Sequence, residues 1–107
     1  MVDGTIITIV KRYLHILRDA GLDPHFGVIF GSQARGNTHK WSDIDVMVIS
    51  PRFDPPRNRK DKDLLWTSVL DVDKRIEPVA CGAVQWEQDD GTPIFEVARR
   101  EGVIVDI

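Results

Sequence analysis

The sequence predicts an α/β (α+β) fold, a small mixed β-sheet with helices packed on it. Two short apolar runs, Phe26 to Phe30 and Ile44 to Ile49, bracket a turn of small residues and read as buried strands. Segments with helical periodicity precede and follow them, giving the order helix, strand, strand, helix, strand, helix, strand. That alternation suits one layer of sheet covered by helices. At 107 residues, 42% of them hydrophobic, the chain can bury one core, so residues 1–107 are expected to form a single domain.

In the first segment Ile6, Val10, Tyr13, Leu17 and Ala20 recur on one helical face, and Gly21 is placed to end the helix. Phe26 to Phe30 is rich in β-branched and aromatic residues and lies between Asp23-Pro24 and Gly31. Ile44 to Ile49 is the second strand. Residues 61–74 predict a second helix striped by Leu64, Leu65, Val69 and Val72. A third strand is expected around Arg75-Ile76-Glu77-Pro78-Val79; Pro78 cannot donate to a ladder, so this strand is interrupted or lies at an edge. Thr92-Pro93 starts a last helix, Gly102 stops it, and Val103 to Val105 closes the chain as a strand.

Strand alternation decides where the charges point. Asp43 and Asp45 share a face with Met47 and Ile49, while Ile44, Val46 and Val48 line the other. Their roots stand roughly 6 to 7 Å apart, where two bare carboxylates repel by about 1 to 3 kcal/mol. A hard divalent cation such as Mg²⁺ suits the pair, leaving positions open for water and phosphate oxygens. Upstream, Gly31-Ser32 follows a strand directly, and Gln33-Ala34-Arg35 can form a helical turn closed by Gly36. Glycine allows close backbone approach to a phosphate, serine offers a hydroxyl, and N–H groups at a helix start favour an anion. The turn is neither a Walker A loop nor a Gly-x-Gly-x-x-Gly dinucleotide loop.

Gly31-Ser32-x-Ala34-x-Gly36, followed by Ser42-Asp43-x-Asp45 at the head of an apolar strand, closely resembles the signature of the DNA polymerase beta-like nucleotidyltransferase superfamily. In length the chain is similar to the minimal nucleotidyltransferases (MNT), found with HEPN proteins in toxin–antitoxin pairs. The resemblance runs from the leading helix to the closing Gly102-Val103-Ile104-Val105 and implies the palm fold of that superfamily. It assigns the nucleoside triphosphate to Gly31 and Ser32, with Arg35 and Ser42 beside them, and the metal ions to Asp43 and Asp45. It also implies a third carboxylate on a later strand, completing a second Mg²⁺ position and helping to deprotonate the acceptor. Glu77 is the best candidate, with Asp71 and Asp73 as alternatives near a helix end.

The implied activity is Mg²⁺-dependent transfer of a nucleoside monophosphate, foremost AMP from ATP, onto a hydroxyl, with Asp43, Asp45 and Glu77 as the catalytic set. No separate acceptor-binding domain is visible, which points to a protein acceptor, and the resemblance suggests a HEPN toxin modified on tyrosine. The rival from another class is a non-catalytic antitoxin that neutralises its partner by binding alone. A homo-oligomer with its acceptor between subunits is a third reading, with Trp41, Trp66, Trp86 and Phe95 as interface candidates.

The formal net charge of −3 argues against broad nucleic-acid binding. Arg52, Arg57, Arg59, Lys60 and Lys62 outweigh Asp54 and Asp61 in one stretch, which follows the Asp43–Asp45 strand and reads first as a solvated loop, with a flank of the site as the alternative. Arg35, His39 and Lys40, inside the motif loop, are better placed for a triphosphate; His39 has no second histidine at ligand spacing. No apolar run approaches the roughly 18 residues of a membrane span, and no signal peptide is visible. The single Cys81 excludes an internal disulfide and is expected to be buried and inert, so a cytoplasmic location is expected.

Overall fold

The computed structural model describes residues 2–36, 38, 39 and 41–107. Helix α1 (Gly4–Asp19) begins where the Asp3 carboxylate accepts the Thr5 N–H at 2.7 Å, satisfying one of the donors a helix start leaves unpaired. Its buried stripe is Ile6, Val10, Tyr13, Leu14 and Leu17; Ala20 is instead the exposed C-cap, one residue beyond the apolar face. Strand β1 (Phe26–Phe30) leads into α2 (Ser32–Arg35), a single turn, and then β2 (Ile44–Ile49). A 3-10 turn (Pro51–Phe53) precedes α3 (Arg59–Val69), which crosses back to β3 (Ile76–Cys81). Helices α4 (Ala83–Gln88) and α5 (Pro93–Glu101) and strand β4 (Val103–Asp106) complete the chain.

The sheet order is β3-β2-β1-β4, with β1 antiparallel to both β2 and β4 and β2 parallel to β3. The mixed sheet expected from the sequence is therefore present. Alternation along β2 sorts the core. Ile44, Val46 and Val48 face the cluster built with α1 and α3 around Tyr13, Leu14, Leu17 and Leu65. Met47 and Ile49 face the opposite cluster, with Val28, Phe30, Cys81, Phe95 and Ala98.

Pro78 sits in β3 at a sheet edge. The Arg75 and Cys81 carbonyls accept from Ile44 and Ser50 on the β2 side, so the backbone groups of the odd-numbered residues face β2. The nitrogen of Pro78, an even-numbered residue, points to the open edge, where no ladder bond is lost.

Several expectations are corrected. Helix α3 starts at Arg59, where the Asn58 side chain accepts the Lys60 N–H at 2.9 Å, and ends at Val69 rather than 74. Asp71 and Asp73 therefore lie in the turns before β3. Helix α4 was not foreseen. Its start carries Gly82, without a capping side chain, and Asp54 reaches over instead to accept from Val84 N at 3.0 Å and Gln85 N at 3.3 Å. Phe95 belongs to the core, and Trp86 is half-buried, edge-on to Phe26 and beneath the Arg99 guanidinium. Of the four aromatic residues offered for an interface, only Trp41 and Trp66 are exposed.

Candidate functional site

Gly31 ends β1 with φ 70° and ψ −147°, a conformation open in practice only to glycine. A Cβ there would collide with the Asp45 carboxylate. The same residue thus makes the turn and gives Asp45 room, which joins the two halves of the motif physically. The turn is closed by Gly36, whose N–H donates to the Ser32 carbonyl.

Glu77 is the Cα partner of Asp45 across the parallel β2–β3 ladder, so the two side chains leave the same face side by side. Asp43, two residues before Asp45, shares that face at the end of the sheet. All three carboxyls come within electrostatic range of one another. Desolvation, then the charges of Asp43 and Asp45, push the Glu77 carboxyl above the usual range. Asp45 is raised as well, first by burial and then by Asp43, with Glu77 and the Arg35 charge pulling the other way.

Two alternatives for the third carboxylate fall elsewhere. Asp73 is clamped by Arg75 at 2.8 and 3.1 Å, and its carboxyl is held low by that contact. Asp71 is exposed in the turn after α3.

Other predicted residues take less direct positions. Arg35 is half-exposed and pairs with Glu101 of α5 at 3.5 Å. The Ser42 hydroxyl accepts the His39 N–H at 2.9 Å, and the Ser42 N–H returns to the His39 carbonyl at 3.0 Å, so Ser42 ties the loop to the strand. His39 Nδ1 accepts the Trp41 N–H at 3.2 Å. Lys40 lies outside the described residues. Gln33, which the sequence did not single out, is buried and donates to the Asp43 carbonyl at 3.3 Å, fixing the turn to the head of β2. The only signal was its place inside the motif.

The basic stretch does not flank these acids. Asp45 is near the start of β2, whereas residues 52–62 follow its end, about five residues or roughly 16 Å further along. Arg52 is also neutralised there by Asp61 at 3.1 Å, and the Arg57 side chain donates to the Phe53 carbonyl.

Three carboxylates converging from two adjacent strands form a hard oxygen donor set that fits Mg²⁺. Among the described residues, no group of three His, Cys, Asp or Glu is already drawn together as a metal cage. No helix of the described residues is long and apolar enough to cross a membrane.

Residues 10–80 match the model of the nucleotidyltransferase domain family. A crystal structure of a candidate nucleotidyltransferase from Sulfolobus solfataricus superimposes with TM-score 0.64 at 16% identity, covering 94% of this chain and 78% of that one. A toxin–antitoxin structure with AMP-PNP superimposes with TM-score 0.59 at 21% identity, covering 89% of this chain and 70% of that one. At these identities the two structures establish a shared fold. No curated protein matches the chain.

Proposed function

Because the chain belongs to the nucleotidyltransferase domain family, we propose that it transfers AMP from ATP to a hydroxyl on a partner protein, a HEPN toxin, and so acts as an antitoxin. The observation that carries this reading is the convergence of Asp43, Asp45 and Glu77 next to the Gly31 turn. The toxin–antitoxin neighbour with AMP-PNP supports the nucleotide and the class of partner.

Asp43, Asp45 and Glu77 would hold two Mg²⁺ ions, which when bound supply charge neutralisation at the phosphates and at the acceptor oxygen. The chain's own residues divide the remaining work. Ser32 and the N–H groups opening α2 hold the triphosphate, and Arg35 balances its charge. Glu77, at the exposed edge strand, takes the acceptor's proton. The acceptor oxygen then forms a bond to the α-phosphorus as the bond to the bridging oxygen breaks, and pyrophosphate leaves on the Ser32 side.

Intact-mass measurement tests this. The protein, ATP, Mg²⁺ and a candidate HEPN partner should give an AMP-sized gain on the partner. Asp43→Ala or Asp45→Ala should abolish that gain, and full transfer by either variant would defeat the assignment. A second reading, neutralisation by binding alone, draws on the absence of a pre-assembled three-residue metal cage among the described residues. It predicts a stable complex with the partner's mass unchanged.

A further inference from the structure

The cations of the basic stretch gather beyond the end of β2 that lies opposite the acids, where no step of the proposed reaction uses them. Residues 51–62 hold Arg52, Arg57, Arg59, Lys60 and Lys62 against Asp54 and Asp61, in a chain whose formal net charge is −3. Asp54 is engaged elsewhere, both of its oxygens accepting from the start of α4. A cavity of about 290 Å³ opens between the 3-10 turn and the first turn of α3, lined by Arg52, Phe53, Arg57, Asn58, Arg59 and Lys62.

This cradle is held from beneath. Phe53 is buried, and its carbonyl accepts the Arg57 Nε–H at 3.1 Å. The buried Asp61 carboxylate accepts from Arg52 Nε and one Arg52 Nη at 3.2 and 3.1 Å. Both guanidiniums are thus oriented through Nε, and the Nη groups of Arg57 make no hydrogen bond among the described residues. Arg59 and Lys62 have no ion-pair partner among the described residues either. Four cations with one acid leave three charges uncompensated around one concavity.

We propose that this cavity is an anion site, separate from the acids and independent of metal, which takes a compact inorganic polyphosphate such as pyrophosphate. It does not depend on the transferase reading. Three of the four cations are arginines, whose planar forks meet phosphate oxygens two at a time. The volume is that of about ten water molecules, room for a small polyanion. A single phosphate group, at about −1.5 to −2, leaves part of the cradle unmatched, and a linked pair fills it better. A long polyanion fits less well. An RNA strand or an acidic polypeptide would run on over the rest of the surface, and outside residues 51–62 the chain has nine Lys and Arg against fifteen Asp and Glu.

The test titrates inorganic pyrophosphate into the intact protein in EDTA at low salt, followed on the backbone amide resonances. Amides of residues 57–62 should shift saturably with Kd about 1 mM or below, while those of Gly31, Ser32, Asp43 and Asp45 stay in place. Orthophosphate should bind about tenfold more weakly. Arg59→Gln and Lys62→Gln, both at exposed positions of α3, should each weaken pyrophosphate binding about threefold to tenfold with Tm unchanged. Arg57→Lys, which keeps the charge and loses the fork, should fall between wild type and Arg57→Gln. No saturation up to about 10 mM, undiminished binding by the Arg59→Gln/Lys62→Gln double variant, or equal affinity for orthophosphate would overturn the site. Tighter binding of a short oligouridylate or a glutamate peptide at the same amides would overturn it too, making the cradle part of a surface for a long polyanion. Pyrophosphate that moves only the Gly31 and Asp45 amides, and only once Mg²⁺ is added, would place the anion at the acids, overturning the second site and sparing the transferase.

Discussion

At the residue scale the acid cluster sets a signed pH dependence. Asp45 and Glu77 have raised affinities for protons in the folded chain, so the native state binds more protons than the unfolded one across the window just above the ordinary carboxylate range. Stability contributed by these groups is then present at lower pH and lost as pH rises through their folded values. Asp73 and Asp89, both held low, act in the opposite direction, so the whole-protein curve mixes the two. The difference between wild type and Asp45→Asn isolates the cluster. Without Mg²⁺, the variant should match wild type near pH 4 and become the more stable of the two, by up to about 1 kcal/mol, as pH approaches 7. Urea unfolding at several pH values measures it, and a variant less stable than wild type at neutral pH would show that Asp45 is held by attraction instead. Gly31→Ala makes the complementary point. It forces a side chain into a backbone region closed to it and into the Asp45 carboxylate, and should cost about 1–3 kcal/mol in the same measurement.

The residue scale is also where the sequence was most legible. The period of two along β2 is enough to put Asp43 and Asp45 together. Glu77 could be placed because β3 turned out parallel to β2, so that equal parity meets across the ladder. Gln33 was not legible, because its importance lies in a hydrogen bond to a backbone carbonyl ten residues away, and no periodicity records such a bond.

Elements were legible where their own residues define them, and hidden where distant residues do. Strands β1 and β2 carry their signals in their apolar runs. Helix α4 does not, since Gly82 gives no capping side chain and the acceptor for its first N–H groups is Asp54, 30 residues earlier by the Val84 bond. Asp54→Ala should therefore cost about 1 kcal/mol, the usual worth of a cap, with Asp54→Asn losing less. Chemical denaturation measures both, and an unchanged midpoint for the alanine variant would show that α4 is held by Arg99 alone. That alternative is real, since the Arg99 guanidinium donates to the Trp86 and Gln85 carbonyls at the other end of the same helix. A comparable tie joins α1 to α3, where the buried Tyr13 hydroxyl donates to the Leu65 carbonyl at 2.7 Å. Burial pushes that phenol well above its ordinary range, which favours the neutral, donating form. The basic stretch lies away from the acids for a related reason. Nearness in sequence to the end of β2 is distance from its start, and the acids sit at the start.

For the whole molecule, the sheet order turns the pieces into one device. β1 brings the turn, β2 the acid pair and β3 the third carboxylate to the same end of the sheet, while α1 and α3 on one face and α5 on the other anchor the strands beneath it. A protein arranged this way holds like charges together in its folded form, and the ligand that neutralises them should bind the folded form alone. Mass action then predicts the size of the effect. Mg²⁺ with AMP-PNP at about a hundred times the dissociation constant should add roughly 2.7 kcal/mol, on the order of 10 °C in Tm for a domain of this size. Asp45→Asn should lose most of that shift, because the variant has already relieved the repulsion and lacks a ligand for the ion. AMP-PNP without Mg²⁺ should raise Tm far less, since the triphosphate would then meet three bare carboxylates. Differential scanning calorimetry distinguishes these cases, and an equal shift with and without Mg²⁺ would mean that the nucleotide is held by the Gly31 turn and Arg35 with no help from the acids.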